Sequence, residues 1–395
     1  MGPANIETGC QLQSGDRVFT LPRGRVAKWL VEPGQQTPHE IRVSLIGTLF
    51  GTLPIFFGGV LNTVAVAWVL EHRHPTAWFQ FWLAAEICVC AVRYVVLVVS
   101  RKNALDGKAT PTDLYLLLAP LWGATVGYGA FVCAISGDWI ATTLSFLSAA
   151  AMVGGICFRN FAAPRLVAVM IFLSLGPCCL GALISGQHVL LLTLLQIPFY
   201  LFAMSVAARR LNALLIATMI AERENSYRAR HDILTGVFNR AGLFHATSAS
   251  DVYLKPGMTL LYLDLDGFKV VNDVYGHEAG DTLLKQVANR LRSIVSRNGL
   301  IARMGGDEFV IIDDFSHYAG TDELVRAVSR LIEDPFWPTS GGSMRVGVSV
   351  GVARITGNEP NVDAVLRAAD ASMYAIKRGR TPRATERPLS LDPSA

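Results

Sequence analysis

The feature that most constrains this chain is a succession of apolar runs, each long enough to cross a bilayer, crowded into its first half. They lie at residues 44–70, 78–100, 114–135, 139–158, 166–185 and 189–208. Only a helix satisfies its own backbone in hydrocarbon without closing a barrel, so six transmembrane helices are expected. The hydrophobic content, 51% of 395 residues, exceeds that of an ordinary soluble enzyme, and the surplus sits in these runs. The remainder reads as soluble α/β sequence.

Basic residues set the expected orientation, because Lys and Arg gather in short cytoplasmic loops. Arg17, Arg23, Arg25, Lys28 and Arg42 precede the first run, Arg101, Lys102 and Lys108 follow the second, Arg159 and Arg165 flank the fourth loop, and Arg209 and Arg210 follow the sixth. The opposite connections carry little beyond Arg73. Both termini are therefore expected in the cytoplasm, and the polar first forty residues show no signal peptide. All seven cysteines precede residue 180, as expected of small buried hydrophobes. A net charge of +4 without a dense basic run argues against a nucleic-acid partner, whereas membrane lipid is an expected one.

Glu86 and Arg93 are ionisable groups within the second run, two turns apart on one helical face. A structural pair or contacts with neighbouring helices outweigh a ligand- or proton-sensing role. A metal or pH input built from His72, His74 and His188 is a weaker alternative. The domains are expected at 1–43 (cytoplasmic segment), 44–208 (six-helix membrane region), 209–231 (signalling helix), 232–380 (soluble domain) and 381–395 (disordered tail).

In the soluble part, strands are expected at 258–265, 300–304, 309–314 and 345–355, and helices at 279–295, 322–332 and 362–378. Asp264 and Asp266 close one strand, while Gly305-Gly306-Asp307-Glu308 makes a turn between two others. Carboxylates so placed suit a hard cation that completes its shell with phosphate and water. The glycines let backbone approach a bulky anion. Nucleotide triphosphate chemistry on metal follows. His231-Asp232 is expected to be a cap or turn, and Asp313-Asp314 a solvated strand end.

Three segments together resemble the GGDEF-domain diguanylate cyclases. Gly305-Gly306-Asp307-Glu308-Phe309 is the signature, and Asp232-Ile-Leu-Thr-Gly-Val-Phe-Asn-Arg240 is similar to the opening D-x-L-T-x-L-x-N-R. Asp264-Leu-Asp-Gly-Phe-Lys-Val-Val-Asn-Asp-Val-Tyr-Gly-His-Glu-Ala-Gly-Asp281 matches D-x-D-x-F-K-x-x-N-D-x-x-G-H-x-x-G-D at every specified position. The resemblance implies a multi-domain protein in which a GGDEF domain, like nucleotidyl cyclase catalytic domains, joins the membrane helices. It further implies a homodimer condensing two GTP into cyclic di-GMP at a bacterial inner membrane, with receptors of that product downstream.

By the same resemblance, Asp264, Asp307 and the Leu265 carbonyl would bind Mg2+, with Mn2+ as a substitute. Glu308 would serve the second metal or help deprotonate the attacking hydroxyl. Asn272 and Asp281 would read guanine, and Lys269 would neutralise phosphate charge. Phe268, His277, Gly305 and Gly306 would lie against substrate.

Two departures stand out. The family's closing Y-x-A-K-x-x-G-R-N appears as Tyr374-Ala-Ile-Lys-Arg-Gly-Arg-Thr381, one residue shorter, leaving Lys377 with Arg378 or Arg380 for the phosphates. The product-inhibition motif R-x-x-D is replaced at its ends by Ser296 and Gly299, so feedback at that site is expected to be missing. The competing reading is a catalytically impaired domain that binds GTP or cyclic di-GMP as a regulator. A phosphodiesterase domain is not expected in the residues after Arg380.

Overall fold

The computed structural model describes residues 19–32, 37–51, 53–337, 343–356 and 361–379. It divides into two compact units, Met1–Ala221 and Glu222–Ala395. The boundary falls within one long helix.

The first unit is helical: α1 Arg25–Val31, α2 His39–Leu49, α3 Leu53–Arg73, α4 Ala77–Leu105, α5 Thr112–Ile135, α6 Trp139–Asn160, α7 Pro164–Ile184 and the start of α8, Thr193–Arg230. Six of the described helical segments are long and apolar enough to cross a membrane, namely α3 to α7 and His188–Arg230. The most buried is α5, which packs against α4, α6 and above all α7. Small residues permit that approach: a Cβ on Gly127 would lie 2.1 Å from the Leu173 carbonyl oxygen of α7. Large apolar side chains such as Leu61, Trp68, Phe158, Leu195 and Phe199 point outward, as a lipid-facing surface requires.

The first apolar run is not one helix. It breaks after Leu49, where the Phe50 amide turns back to the Gly47 and Thr48 carbonyls and the Phe50 ring stacks between Phe19 and Tyr115, 4.3 Å from each. Arg101 donates to the Phe50 and Gly51 carbonyls at 3.0 and 2.9 Å, satisfying acceptors that helix termination exposes. On the opposite end, Asp138 caps α6 by accepting from the Ile140 amide at 2.8 Å, and also accepts from Arg73 and His74. His74 is thus held by a carboxylate, and no cluster of three metal-binding side chains occurs among the described residues.

Glu86 and Arg93 do not pair. Glu86 accepts from Trp122 Nε1 at 2.8 Å and Thr125 Oγ1 at 2.6 Å, both on α5. Arg93 lies against the rings of Phe56 and Trp122.

The second unit contains a five-stranded sheet in the order β1-β3-β4-β2-β5, where β1 is Phe238–Asn239, β2 Thr259–Asp266, β3 Leu300–Gly305, β4 Glu308–Asp313 and β5 Gly347–Arg354. Only β1 and β3 are parallel. Helices cover both faces. On one, Leu261, Leu263 and Leu265 of β2 meet α10 Phe268–Tyr275, α11 His277–Ile294 and α12 Thr321–Glu333. On the other, Leu260 and Tyr262 meet α9 Arg240–Ala249 and α13 Val362–Gly379. A strand covered on both faces needs apolar residues at successive positions, which is why β2 begins as an unbroken apolar run.

Candidate functional site

The candidate site is built where β2 ends beside the turn between β3 and β4. Antiparallel register places Asp264 opposite Glu308, bringing a carboxylate from each strand to one end of the sheet. The turn is held open by Gly306, with φ of 51° in the left-handed region, and by Gly305 with φ of 155°. Arg303 fastens it from behind, donating Nε and Nη2 to the Gly306 carbonyl at 2.9 and 2.7 Å. Its Nη1 reaches both carboxylate oxygens of Asp232 at 3.0 and 3.2 Å. Asp232 also accepts from the Thr235 amide and hydroxyl, while His231 stacks between Tyr227 and Phe238. The His-Asp pair is therefore a structural turn.

Lys377, reaching in from α13, donates to Asp264 Oδ1 at 2.6 Å. The Tyr262 hydroxyl, two residues before Asp264 on the same face, donates to Glu308 Oε2 at 3.0 Å. Burial pushes the Asp307 carboxyl above the usual carboxylate range, and the neighbouring Asp264 charge pushes it further. Burial also raises Glu308, with repulsion from Asp264, Asp307 and Asp370 added, against the opposing Tyr262 hydrogen bond. The Asp264 hydrogen bond raises Lys377. These carboxylates crowd one another, offset among the described residues by the Lys377 ammonium and, behind the turn, by Arg303, whose guanidinium is shared with Asp232.

The remaining excess of negative charge and the all-oxygen donor set of Asp264, Asp307, Glu308 and the Leu265 carbonyl fit a hard divalent cation. No preformed cage of three acidic, His or Cys side chains exists among the described residues. A cation that takes few protein ligands and keeps water and phosphate oxygens is compatible with that arrangement.

A second group gathers at the α10–α11 corner. Gly267, with φ of 88°, turns the chain from β2 into α10, placing Phe268 and exposed Lys269 in the first turn. Asn272 follows one turn later. A Cβ at Gly280 would fall 1.9 Å from Asn272 Oδ1, so the missing side chain at Gly280 admits the Asn272 amide to the start of α11. His277 and Asp281 lie exposed on that same first turn, beside it in sequence. None of these side chains hydrogen-bonds the acidic group among the described residues.

Sequence reasoning left Lys377 with either of two arginines. Arg378 turns back along its own helix, stacking 4.5 Å from the Tyr374 ring and donating to its hydroxyl at 3.3 Å. Arg380 lies outside the described residues. Tyr262, Arg303 and Asp370 were not anticipated; the period-two spacing of Tyr262 and Asp264 carried a signal for the first.

Asp313 corrects an expectation. It is buried at 2% exposure and accepts from the Ser296 amide at 2.6 Å and hydroxyl at 2.7 Å, whereas Asp314 is exposed. A Cβ on Gly299 would lie 2.6 Å from the Asp313 carboxyl carbon. Of the two positions where the missing product-inhibition motif would begin and end, Ser296 thus donates to Asp313 and Gly299 packs close against it.

A family model described as diguanylate cyclase, GGDEF domain, matches residues 229–383. MucR of Pseudomonas aeruginosa, named a bifunctional diguanylate cyclase and cyclic di-GMP phosphodiesterase, is 36% identical over 394 aligned positions, covering 91% of this chain and 56% of that protein. A 19.3 kDa protein of Streptomyces ambofaciens is 39% identical over 158 residues, covering 39% of this chain and 81% of that protein. Among solved structures, a sensory box/GGDEF family protein from Caulobacter crescentus shares 32% identity, covers 38% of this chain and 100% of its own, and gives a TM-score of 0.32. The chain spans between 20% and 56% of the length of the first curated relatives it matches.

Proposed function

Because the chain belongs to the GGDEF-domain diguanylate cyclase family, we propose that it condenses two GTP into cyclic di-GMP and two pyrophosphates. The observation that carries this reading is the acidic end of the sheet, where Asp264 stands opposite Glu308 and its charge acts on Asp307 in the signature turn. Each domain would hold one GTP, and two domains facing each other would let each 3′-oxygen bond to the other's α-phosphorus as pyrophosphate departs. Two copies of the chain are therefore required, since proximity between two separately bound nucleotides is the main contribution of the assembly.

Asp264, Asp307, Glu308 and the Leu265 carbonyl would hold Mg2+, or Mn2+ in its place, whose charge would offset that developing on the transferred phosphoryl group. Glu308, raised by burial, would receive the proton of the 3′-hydroxyl. Lys377 would exchange its Asp264 contact for triphosphate oxygens, with Lys269 adding a second ammonium. Asn272 and Asp281 would bind the guanine edge, with Phe268 and His277 beside the nucleotide. The Gly305-Gly306 turn would let backbone approach phosphate.

The six apolar helices would place the protein in the bacterial inner membrane, both termini cytoplasmic as the basic loops indicate, and would control how two cyclase domains meet. The segments proposed for these tasks are 44–208, 209–231 and 232–380. The product would act through separate receptors.

The test is GTP turnover by the purified full-length protein in nanodiscs with Mg2+, following cyclic di-GMP by chromatography beside Asp307→Ala. Product from the wild type that vanishes in the variant is expected. A folded, dimeric, GTP-binding wild type that makes none would instead indicate a regulatory receptor.

A further inference from the structure

The first unit encloses a cavity of about 40 Å3 among α3, α4, α5, α6 and α7. That space has room for about three water molecules. Among its lining residues Arg93, Arg159, Phe56, Trp122 and Asn160 are buried, and no acidic side chain lines it. The Arg93 and Arg159 guanidiniums lie 5.5 and 5.2 Å from the Phe56 ring, and Arg93 is also 4.9 Å from the Trp122 ring.

Arg93 is only 3% exposed, its Nε has no hydrogen-bond partner, and it forms no ion pair among the described residues. A guanidinium stays protonated at any pH a protein experiences. In the interior of an apolar helical bundle such a charge is costly unless an anion or oriented acceptors face it. Glu86, the acidic residue on the same helix, turns its oxygens to Trp122 and Thr125 and acts on Arg93 through space, without a direct ion pair. Arg159 donates from Nη2 to the Tyr115 hydroxyl at 2.6 Å, while its Nε, like that of Arg93, is buried without a hydrogen-bond partner.

We propose that this cavity is a binding site for a small oxyanion, a carboxylate or phosphate group received by the Arg93 guanidinium and flanked by Arg159. The planar fork of an arginine matches two oxygens of such a group, and the apolar surroundings strengthen the contact. The aromatic walls hold the guanidinium in place before the ligand arrives. Gly59 of α3 and Gly155 of α6 line the cavity and are half-buried, in contrast to the buried arginines. A Cβ on Gly155 would meet only Ile55, at 3.6 Å, so a larger side chain can enter the cavity from there without displacing backbone. A soluble anion and the phosphate of a lipid headgroup share this chemistry.

The test uses the full chain in lipid-free maltoside micelles, at constant ionic strength, with melting temperature as the readout. Three probes are titrated separately: sodium propionate, inorganic phosphate and phosphatidylglycerol. The wild type should show a saturable rise with at least one. Response to propionate or phosphate alone identifies a soluble ligand, and response to phosphatidylglycerol only identifies a headgroup. Arg93→Gln should raise the half-saturating concentration by about thirtyfold or more, as loss of one partner of a buried charge pair does. Gly155→Leu should abolish saturation with Arg93 still in place, so the result does not depend on the arginine variant folding. No saturable rise with any probe, or unchanged half-saturation in both variants, overturns the proposal.

Discussion

Arg303 is the residue on which the signature turn depends, since it donates to the Gly306 carbonyl and to Asp232 with one guanidinium. Arg303→Ala should destabilise the cyclase unit by about 1–3 kcal/mol, measured by denaturant unfolding of the full chain. Burial opposes ionisation of Asp232, but Thr235 and Arg303 outweigh it and hold its carboxyl below the usual range. A carboxyl lowered in the folded state stabilises fully above its unfolded value, about 3.9, and loses that contribution as pH falls through the folded value. Melting temperature followed from pH 6 into acid, about 4 and below, should therefore fall less steeply in Asp232→Asn than in the wild type. At the other end of the site, Lys377→Gln should lower GTP turnover by about a hundredfold. Arg378→Gln, which loses only its contact with Tyr374, should leave turnover within about twofold, as an exposed substitution usually does.

Elements differ in how plainly the sequence announced them. The apolar start of β2 and the regular spacing in α11, α12 and α13 were legible, because each buries a surface its periodicity records. The short helices α9 and α10 and the two-residue β1 were not, being too brief to set a period. The break between α2 and α3 was hidden for another reason: every residue around it is apolar or small, and hydropathy does not register a stacked Phe50 or a carbonyl held by Arg101. Arg101→Ala should consequently lower the stability of the detergent-solubilised protein by about 1–3 kcal/mol, read from its thermal midpoint and enthalpy. In the candidate site, Asp264, Asp307 and Glu308 were legible from motif spacing, but the burial of Asp313 depended on the distant Ser296 and could not be read from a pair of acids.

For the whole molecule, the proposed chemistry needs two cyclase units at once. Nanodiscs loaded with a single copy should therefore make at most a few per cent of the product per protomer made by discs holding two, an expectation checked by chromatography of the product. If the proposed turnover is observed, its initial rate should also be unchanged when cyclic di-GMP is added at concentrations well below those that compete with GTP. Tight product binding to a variant with the catalytic cleft blocked, lost on replacing Arg297, would contradict this.

The contacts of Asp313 also govern what could be installed beside it. Rebuilding an R-x-x-D feedback site would take Ser296→Arg and Gly299→Asp, yet the first removes a hydroxyl donor from Asp313 and the second drives a side chain into its carboxylate. Each step is expected to destabilise the fold while Asp313 is present, because the group it disturbs is a buried carboxylate. Changes confined to the two motif positions are therefore expected to weaken the fold before they create a product site.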